Sequence, residues 1–200
     1  MNHLAHFLLA PSDDAARMGT LLGDFVRGTD LTAWPIEVES AIRLHRRVDS
    51  ITDTHPAVSA AKQVADPALR RYAGILLDVF FDHILIAQWN DWHDTPLEVY
   101  CADVYASLAR SAQAMPPPAR ALALRMGQYD ILRSCSTRAG VAHVLERIST
   151  RLSRPVALAA GAVALDEHYE ALATAFESFF PELIAASVQW RAPVAGRAAS

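Results

Sequence analysis

The sequence predicts an all-α protein, and three observations support this class. Apolar residues make up 52% of the 200 residues, which is enough for one well-buried core. The helix formers Ala, Leu and Arg are abundant, whereas there are only eight Gly. Runs of β-branched residues bounded by turn residues are scarce. We therefore expect a compact bundle of about seven to nine helices in a single domain over 1–190, with a small α+β fold as the alternative.

Proline and capping residues divide the first half of the chain into helical segments. The apolar segment NHLAHFLLA ends at Pro11, and the next segment begins after Ser-Asp-Asp, which can cap a helix. Pro35 starts the third segment, PIEVESAIRLHRRVDSITD. Asp66 and Pro67 start a long apolar segment that runs to about Trp92.

Proline and capping residues also mark the helix starts in the second half of the chain. Thr95 is the predicted N-cap of a helix that has Pro96 in its first turn, and another helix follows the proline run MPPP. Thr137 opens a further helix, and Pro155 precedes the last one. The final stretch RAPVAGRAAS, residues 191–200, has one Val as its largest apolar residue, and we expect it to be disordered.

Cysteine usage and the start of the chain indicate the cytoplasm. Cys101 and Cys135 are isolated, which argues against a zinc-thiolate site and against a disulfide framework. The first residues, MNHLAHFLLAPSDD, lack the basic region of a signal peptide. No uninterrupted apolar run approaches the roughly 20 residues that a membrane span needs. We expect a protein that is neither secreted nor membrane-spanning.

Arginine is concentrated in one part of a chain whose formal net charge is −4. Seventeen of the eighteen basic residues are Arg, and seven of them lie between 120 and 154, where only Asp130 and Glu146 are acidic. Arg binds carboxylate and phosphate groups through two parallel hydrogen bonds. This stretch therefore predicts a docking surface for an acidic or phosphorylated partner, with these candidate contacts: Arg133, Arg138 and Arg147. The alternative is a set of solvated arginines that reflects codon usage.

Nucleic acid is not an expected partner. The arginines are not accompanied by a Lys-rich stretch, a Gly-rich RNA-binding motif or a zinc finger.

Several apolar helical segments carry ionisable residues that solvent exposure alone does not explain. The clearest is LLDVFFDHIL, residues 76–85, where Asp78, Asp82 and His83 share about half of the helix circumference. In HRRVDSITD, residues four apart place an imidazole and carboxylates along one helix face. The other ionisable residues in apolar company are His6, Asp24, His45, Asp49, Asp53 and His168.

These carboxylates need compensating cations. Burying four or more of them without partners would cost several kcal/mol each, and a domain is stable by only about 5–15 kcal/mol. The two candidates are the pair Arg46 and Arg47 or a bound metal, and a purely structural ion-pair network is the alternative. Imidazole and carboxylate without thiolate suit Mn²⁺, Mg²⁺ or Fe²⁺ better than structural zinc.

A carboxylate-bridged di-iron bundle can be tested against the sequence directly. It requires Glu-x-x-His on paired helices, and no Glu in this chain is followed by His three residues later. A His-Asp metal site in an all-α fold indicates instead the hydrolysis of a phosphate ester.

Five stretches occur in an order that resembles the acyl carrier protein phosphodiesterase family, from Met1 to about Ala186. They are NHLAHFLLA, GDFVRG, HRRVDSITD, DVFFDH and LDEHYEAL. The resemblance implies an all-helical relative of the HD-type metallohydrolases that uses a divalent metal, usually Mn²⁺. It also implies that the substrate is holo-acyl carrier protein, from whose serine the enzyme removes 4′-phosphopantetheine. Carrier proteins are small and acidic, which agrees with an Arg-rich docking surface.

The resemblance also suggests roles for individual residues. The metal would be held by a subset of Asp24, His45, Asp82 and His83. The candidate catalytic residues are Asp24, His45, Arg46, Asp49 and Asp78, with Arg46 or Arg47 on the non-bridging phosphate oxygens. Supporting positions around the site are His6, Asp53 and His168. HD enzymes have His followed by Asp, and this chain has the inverted pair, which swings the two side chains by about 100° around the helix.

Two other functions fit the same residues. An HD-like hydrolase of a nucleotide or another small phosphodiester would share the metal site, and only its substrates would differ. A non-enzymatic helical binding protein would use the polar cluster as an ion-pair network, and it would contain no stoichiometric metal.

Overall fold

The computed structural model describes residues 3–154 and 156–191, and these form α-helices and short 3₁₀ helices without any strand. The all-α class is thereby confirmed. Eleven α-helices occur in the described residues: α1 His3–Leu9, α2 Asp14–Leu22, α3 Ile36–Thr54, α4 Pro56–Ala61, α5 Ala73–Ala87, α6 Trp89–Trp92, α7 Leu97–Ser111, α8 Pro117–Gln128, α9 Arg138–Ser149, α10 Ala162–Glu167 and α11 Tyr169–Trp190. The 3₁₀ helices are Lys62–Val64, Pro67–Tyr72, Ala112–Ala114, Ile131–Arg133 and Leu158–Gly161.

The structure has more helices than the seven to nine expected because α4 follows α3 as a separate helix and because two long predicted segments are divided, which adds α6 and α10. The segment that starts at Pro67 begins as a 3₁₀ helix and becomes α5 only at Ala73. The segment after Pro155 contains a 3₁₀ helix and α10 before α11 begins at Tyr169. Apolar periodicity does not reveal such breaks, because the residues before a break and those after it are both apolar and buried.

The predicted caps are largely correct. Asp13 caps α2 by accepting a hydrogen bond from the Ala16 amide at 2.9 Å, and Thr137 caps α9 by accepting one from Gly140 at 3.1 Å. Thr95 is the exception, because α7 starts at Leu97 with Pro96 as its N-cap and has no side-chain cap.

The core is built around α5 and α11, whose aromatic side chains contact one another. Phe176 stacks on Phe180 with ring centroids 4.6 Å apart, and the Phe81 ring lies 5.3 Å from that of Phe179. All four are at most 1% exposed. Burying rings of this size supplies a large share of the hydrophobic stabilisation.

Helix α11, by length and mean hydropathy alone, could also cross a membrane. Its aromatic residues lie instead against α5, a pattern that is also found in the core helices of soluble proteins.

The chain beyond α11 is described only as far as Arg191. Its guanidinium donates to the Leu9 carbonyl at 2.7 and 2.9 Å, so Arg191 is held against the end of α1. The predicted disordered tail therefore does not include residue 191, and the rest of it, 192–200, lies outside the described residues.

Helices α2 and α3 approach each other closely, and this contact positions the polar residues discussed below. A Cβ atom added at Gly19 would lie 2.4 Å from the Val38 carbonyl oxygen and 2.8 Å from the Ala41 Cβ. Only a residue without a side chain permits this spacing.

Gly19→Ala should therefore lower the free energy of unfolding by about 1–3 kcal/mol, because the added methyl group forces α2 and α3 apart. Urea unfolding followed by circular dichroism measures the change. Gly74→Ala in α5 is the control, since its Cβ would meet nothing within 4 Å, and helix propensity should raise stability by about 0.5 kcal/mol. Equal effects of the two substitutions would contradict this account of the helix contact.

Candidate active site

Five ionisable residues from three parts of the chain meet beside the α2–α3 contact. His3 and His6 come from α1, Asp24 follows the end of α2, and His45 and Asp49 come from α3. We call these residues the His-Asp cluster. Residues three apart in α1 and four apart in α3 lie on one side of their helix, which brings both pairs to the same place.

Each carboxylate of the cluster contacts two imidazoles. Asp49 lies 3.0 Å from His6 Nε2 and 3.3 Å from His45 Nε2. Asp24 lies 3.4 Å from His45 Nε2 and 3.5 Å from His3 Nδ1. The His6 and His45 rings stack face to face with centroids 3.8 Å apart.

The cluster is buried on its imidazole side and accessible on its carboxylate side. The side chains of His6 and His45 are 2% and 3% exposed, whereas those of Asp24 and Asp49 are 45% and 42% exposed. A ligand from solvent would therefore reach the carboxylates first.

Gly23 allows His45 to reach this position. A Cβ atom at residue 23 would lie 2.3 Å from Cγ of the His45 ring. The backbone of Gly23 is helical, with φ −50°, so the requirement for glycine is one of space and not of backbone conformation.

His45 carries a positive charge at neutral pH. Burial acts to lower the pKa of His45, but the hydrogen bonds to Asp24 and Asp49 and the charges of both carboxylates raise it to about 9. The imidazolium thus compensates the carboxylates in this structure. For that purpose the sequence predicted either Arg46 and Arg47 or a bound metal.

The pKa values of the other cluster groups shift in directions that keep the two carboxylates charged and His3 and His6 neutral. Burial acts to raise the pKa of Asp24 and of Asp49, but the hydrogen bonds from the imidazoles outweigh it and both pKa values are lowered. Burial lowers the pKa of His6 to about 4 and also lowers that of His3. Two carboxylates and one imidazolium are therefore ionised near pH 7, and His3 and His6 are neutral.

The cluster includes a group of side chains suited to a metal ion. One potential ligand atom each from His6, His45 and Asp49 lies within 4.8 Å of the others. Two imidazole nitrogens and a carboxylate oxygen form a donor set that binds divalent transition metals. Asp24 adjoins this group through His45. The sequence predicted His45 and Asp24 for this role but placed His6 only at a supporting position.

Asp82 and His83 are not part of the His-Asp cluster, so of the four residues from which the ligands were predicted to come the structure brings together Asp24 and His45. Burial raises the pKa values of Cys101 and Cys135, and Asp82, which is itself buried, raises both further as a neighbouring charge. The His83 Nδ1 atom lies 2.6 Å from the Cys135 carbonyl oxygen. Asp82 lies one helical turn, about 6 Å, beyond Asp78 along α5.

Asp78 and Asp53 lie at the edge of the cluster. Burial raises the pKa of Asp78, and the charges of Asp49 and Asp53 raise it further. Asp53 itself is 75% exposed and lies 3.6 Å from the Lys62 ammonium. Asp78 is thus the carboxyl group of this region that most readily holds a proton.

Arg46 and Arg47 have contacts away from the cluster carboxylates. Arg46 donates to the carbonyl oxygens of Val26 and Gly28 at 2.5 and 2.7 Å, which ties α3 to the loop after Asp24. Arg47 lies over the Trp190 ring at 5.9 Å. The observed contacts of Arg46 therefore position Asp24.

His168 and His3 are the two histidines that the sequence analysis placed least well. His168 is exposed at the N-terminus of α11, in a pocket with Arg70 and Glu167. His3 received no role, although its spacing of three residues from His6 would have placed both on one face of a helix.

A cleft of about 370 Å³ between α8 and α9 adjoins the cluster, because His3 belongs to its lining as well. Of the three predicted docking residues, Arg147 lines this cleft. Arg133 pairs with Asp130 at 2.7 Å, and Arg138 pairs with Asp166 at 2.7 Å.

Residues 1–183 match the sequence model of the family described as acyl carrier protein phosphodiesterase. The chain belongs to this family. Relatives that carry the same description come from Pectobacterium atrosepticum, 33% identical over 185 residues, and Salmonella dublin, 36% identical over 186 residues. Both alignments cover 92% of this chain and 96% of the relative.

The match to acyl carrier protein phosphodiesterases spans the cluster and the cleft together. A third relative, from Enterobacter sp., is 35% identical over 185 residues. No solved structure matches the chain significantly. The relationship to HD-type hydrolases therefore stays a prediction.

The charge on His45 makes a testable contribution to the stability of this acyl carrier protein phosphodiesterase family member. Its pKa rises from 6.5 to about 9 on folding, so the stabilisation is complete below about pH 6.5 and is lost as the pH rises to about 9. The loss should be at most about 3 kcal/mol, because Asp24 and Asp49 remain partly hydrated. His6 is neutral in both states above about pH 7 and does not contribute there.

Urea unfolding with a chelator present, at several pH values between 6.5 and 9.5, measures this loss. Asp24→Asn with Asp49→Asn should flatten the pH dependence. An unchanged slope in that double variant would assign the effect to other groups.

Gly23→Ala should lower the pKa of His45 towards 6.5, because the added methyl group displaces the ring from both carboxylates. NMR titration of the ring protons measures this pKa. Gly74→Ala is the matched control and should leave it unchanged. A His45 pKa that stays near 9 in Gly23→Ala would refute the steric argument.

Proposed function

We propose that this chain hydrolyses the phosphodiester bond between 4′-phosphopantetheine and the serine of holo-acyl carrier protein, releasing apo-carrier. The observation that supports this most directly is a candidate metal site, the His-Asp cluster, beside a cationic cleft. Family membership over 92% of the chain supports the same substrate, since the relatives are named for it.

The proposed cofactor is a divalent metal, Mn²⁺ first and Mg²⁺ or Fe²⁺ next, held by His6, His45 and Asp49 with Asp24 adjoining. Nitrogen and carboxylate donors without thiolate support this choice. Such an ion would polarise the phosphoryl oxygens and lower the pKa of water. Because ligands must be deprotonated, binding would release the proton of His45.

The chain's own groups have distinct proposed tasks. In the metal-free cluster Asp49 holds the His6 and His45 rings in place through one contact to each Nε2 atom, and the same atoms would coordinate the metal when it binds. Asp24, at the accessible side of the cluster, orients His45, and Arg46 fixes the loop behind Asp24. Asp78, whose raised pKa favours the protonated form, is the proposed source of protons near the cluster.

The reaction consumes one water molecule. The water oxygen forms a bond to phosphorus, the bond between phosphorus and the serine oxygen breaks, and a proton from the water ends on that oxygen. We place the reaction in the cytoplasm, which agrees with two buried free cysteines.

One observation favours a second candidate function. The protonated His45 already offsets one of the two negative charges of Asp24 and Asp49, so the cluster can form an ion-pair network without metal. A non-enzymatic binding protein would need no more than this. Metal analysis of the purified protein separates the two, because the network requires no stoichiometric metal.

The activity is tested by incubating holo-carrier and Mn²⁺ with the chain and recording the mass of the carrier. Loss of the phosphopantetheine arm is expected, with no loss in the presence of a chelator. His6→Ala and Asp49→Asn should lower the rate by about 100-fold or more, since each removes a candidate ligand.

His168→Ala is the matched control, because that histidine is exposed and lies in a different pocket. It should retain the wild-type rate. Release by Asp49→Asn at the wild-type rate would remove Asp49 from the proposed metal site. No release by the wild-type chain with any of the three metals would refute the proposed function.

A further inference from the structure

The cleft between α8 and α9 is lined by arginines, histidines and apolar side chains, together with Tyr129 and Ser134. Its ionisable residues are His3, Arg125, His143, Arg147 and Arg151, and no carboxylate is among the lining residues. A surface of one sign beside a catalytic cluster attracts a partner of the opposite sign and speeds its approach.

The arginines of the cleft are available to such a partner. Arg125, Arg147 and Arg151 are exposed, and within residues 3–154 and 156–191 none of them forms an ion pair. By contrast, Arg133 and Arg138 are already paired with Asp130 and Asp166. Ion pairing therefore separates the arginines of this region into two groups that the sequence does not distinguish.

Between the arginines the cleft is apolar. The apolar lining consists of Leu122, Tyr129, Ile131, Val144 and Ile148. Tyr129 is 60% exposed, and an exposed tyrosine beside arginines is typical of the anchoring residues of protein interfaces.

The turn around Asp130, which forms one wall of the cleft, is fixed by hydrogen bonds. Asp130 has a left-handed backbone with φ +48°, and its carboxylate accepts hydrogen bonds from the Tyr105 hydroxyl at 2.9 Å and from Arg133 at 2.8 Å. The Leu132 amide donates to the Tyr105 oxygen at 2.9 Å. A turn fixed in this way loses little conformational entropy when a partner binds.

We propose that the α8–α9 cleft is where an acidic helical segment of the carrier protein docks. A helix with carboxylates along its edges and apolar residues between them matches arginines that flank an apolar groove. His3 contacts Asp24 and also lines the cleft, so a carrier bound there would present its serine to the His-Asp cluster. This inference rests on the proposed function and adds the surface that recognises the protein part of the substrate.

The test uses apo-carrier, which lacks the phosphopantetheine arm and so reports docking alone. Arg147→Glu with Arg151→Glu should weaken the binding of apo-carrier to the full chain by about tenfold or more at low salt, as measured by calorimetry. Added salt should weaken wild-type binding and narrow the difference between the two proteins.

Arg70→Glu with Arg71→Glu is the matched control, with the same change in net charge on an exposed surface outside the cleft. It should bind apo-carrier within about twofold of the wild type, and circular dichroism should show that both double variants are folded.

Three outcomes would overturn the docking site. Equal weakening by both double variants would show an effect of net charge alone. Unchanged apo-carrier affinity in Arg147→Glu with Arg151→Glu, together with a higher KM for holo-carrier, would show that the cleft holds the arm. No binding of apo-carrier by the wild type would exclude docking on the protein surface. Failure of the proposed function appears separately, as no release of the arm by the wild-type chain.

Discussion

The close contact between α2 and α3 is the constraint on which the rest of the site depends. Gly19 lets the two helices touch, and Gly23 lets the His45 ring lie against the end of α2. Because of this approach, Asp24 and Asp49 reach the same imidazole and raise its pKa to about 9. The interaction that holds the metal-free cluster together is thus an imidazolium between two carboxylates, and it exists only where two helix backbones come unusually near.

The all-α class and most helix starts could be predicted because they depend on local signals such as Asp13, Thr137 and the prolines. The candidate site was predicted only in part. Asp78 and Asp82 share a helix face, so periodicity treats them alike, yet Asp78 interacts electrostatically with Asp49 and Asp82 with two cysteines. Periodicity gives the angle of a side chain around its helix axis. Which residues it contacts at its position along the axis depends on tertiary packing.

Two other differences between the sequence-based prediction and the structure also arise from tertiary packing. α1 is only seven residues long, so its apolar pattern alone gave no reason to group His3 with the distant Asp24. The arginines between 120 and 154 look equivalent in the sequence, and only folding shows that Arg138 meets Asp166 while Arg147 meets no carboxylate among the described residues. Long-range ion pairs of this kind cannot be predicted from the local composition of the sequence.

In the proposed function, the charges of the site give the cation and the cleft complementary tasks. A phosphodiester is an anion, and the accessible side of the cluster presents Asp24 and Asp49, which leave one net negative charge when His45 is protonated. A divalent ion that replaces the His45 proton would bring the cluster to neutrality, which removes the repulsion. The arginines of the α8–α9 cleft would then supply the attraction, because they lie in one cleft with His3 and are not neutralised by carboxylates of the described chain. Neither part is sufficient alone, since an anion drawn to the cleft would still be repelled at the point of reaction.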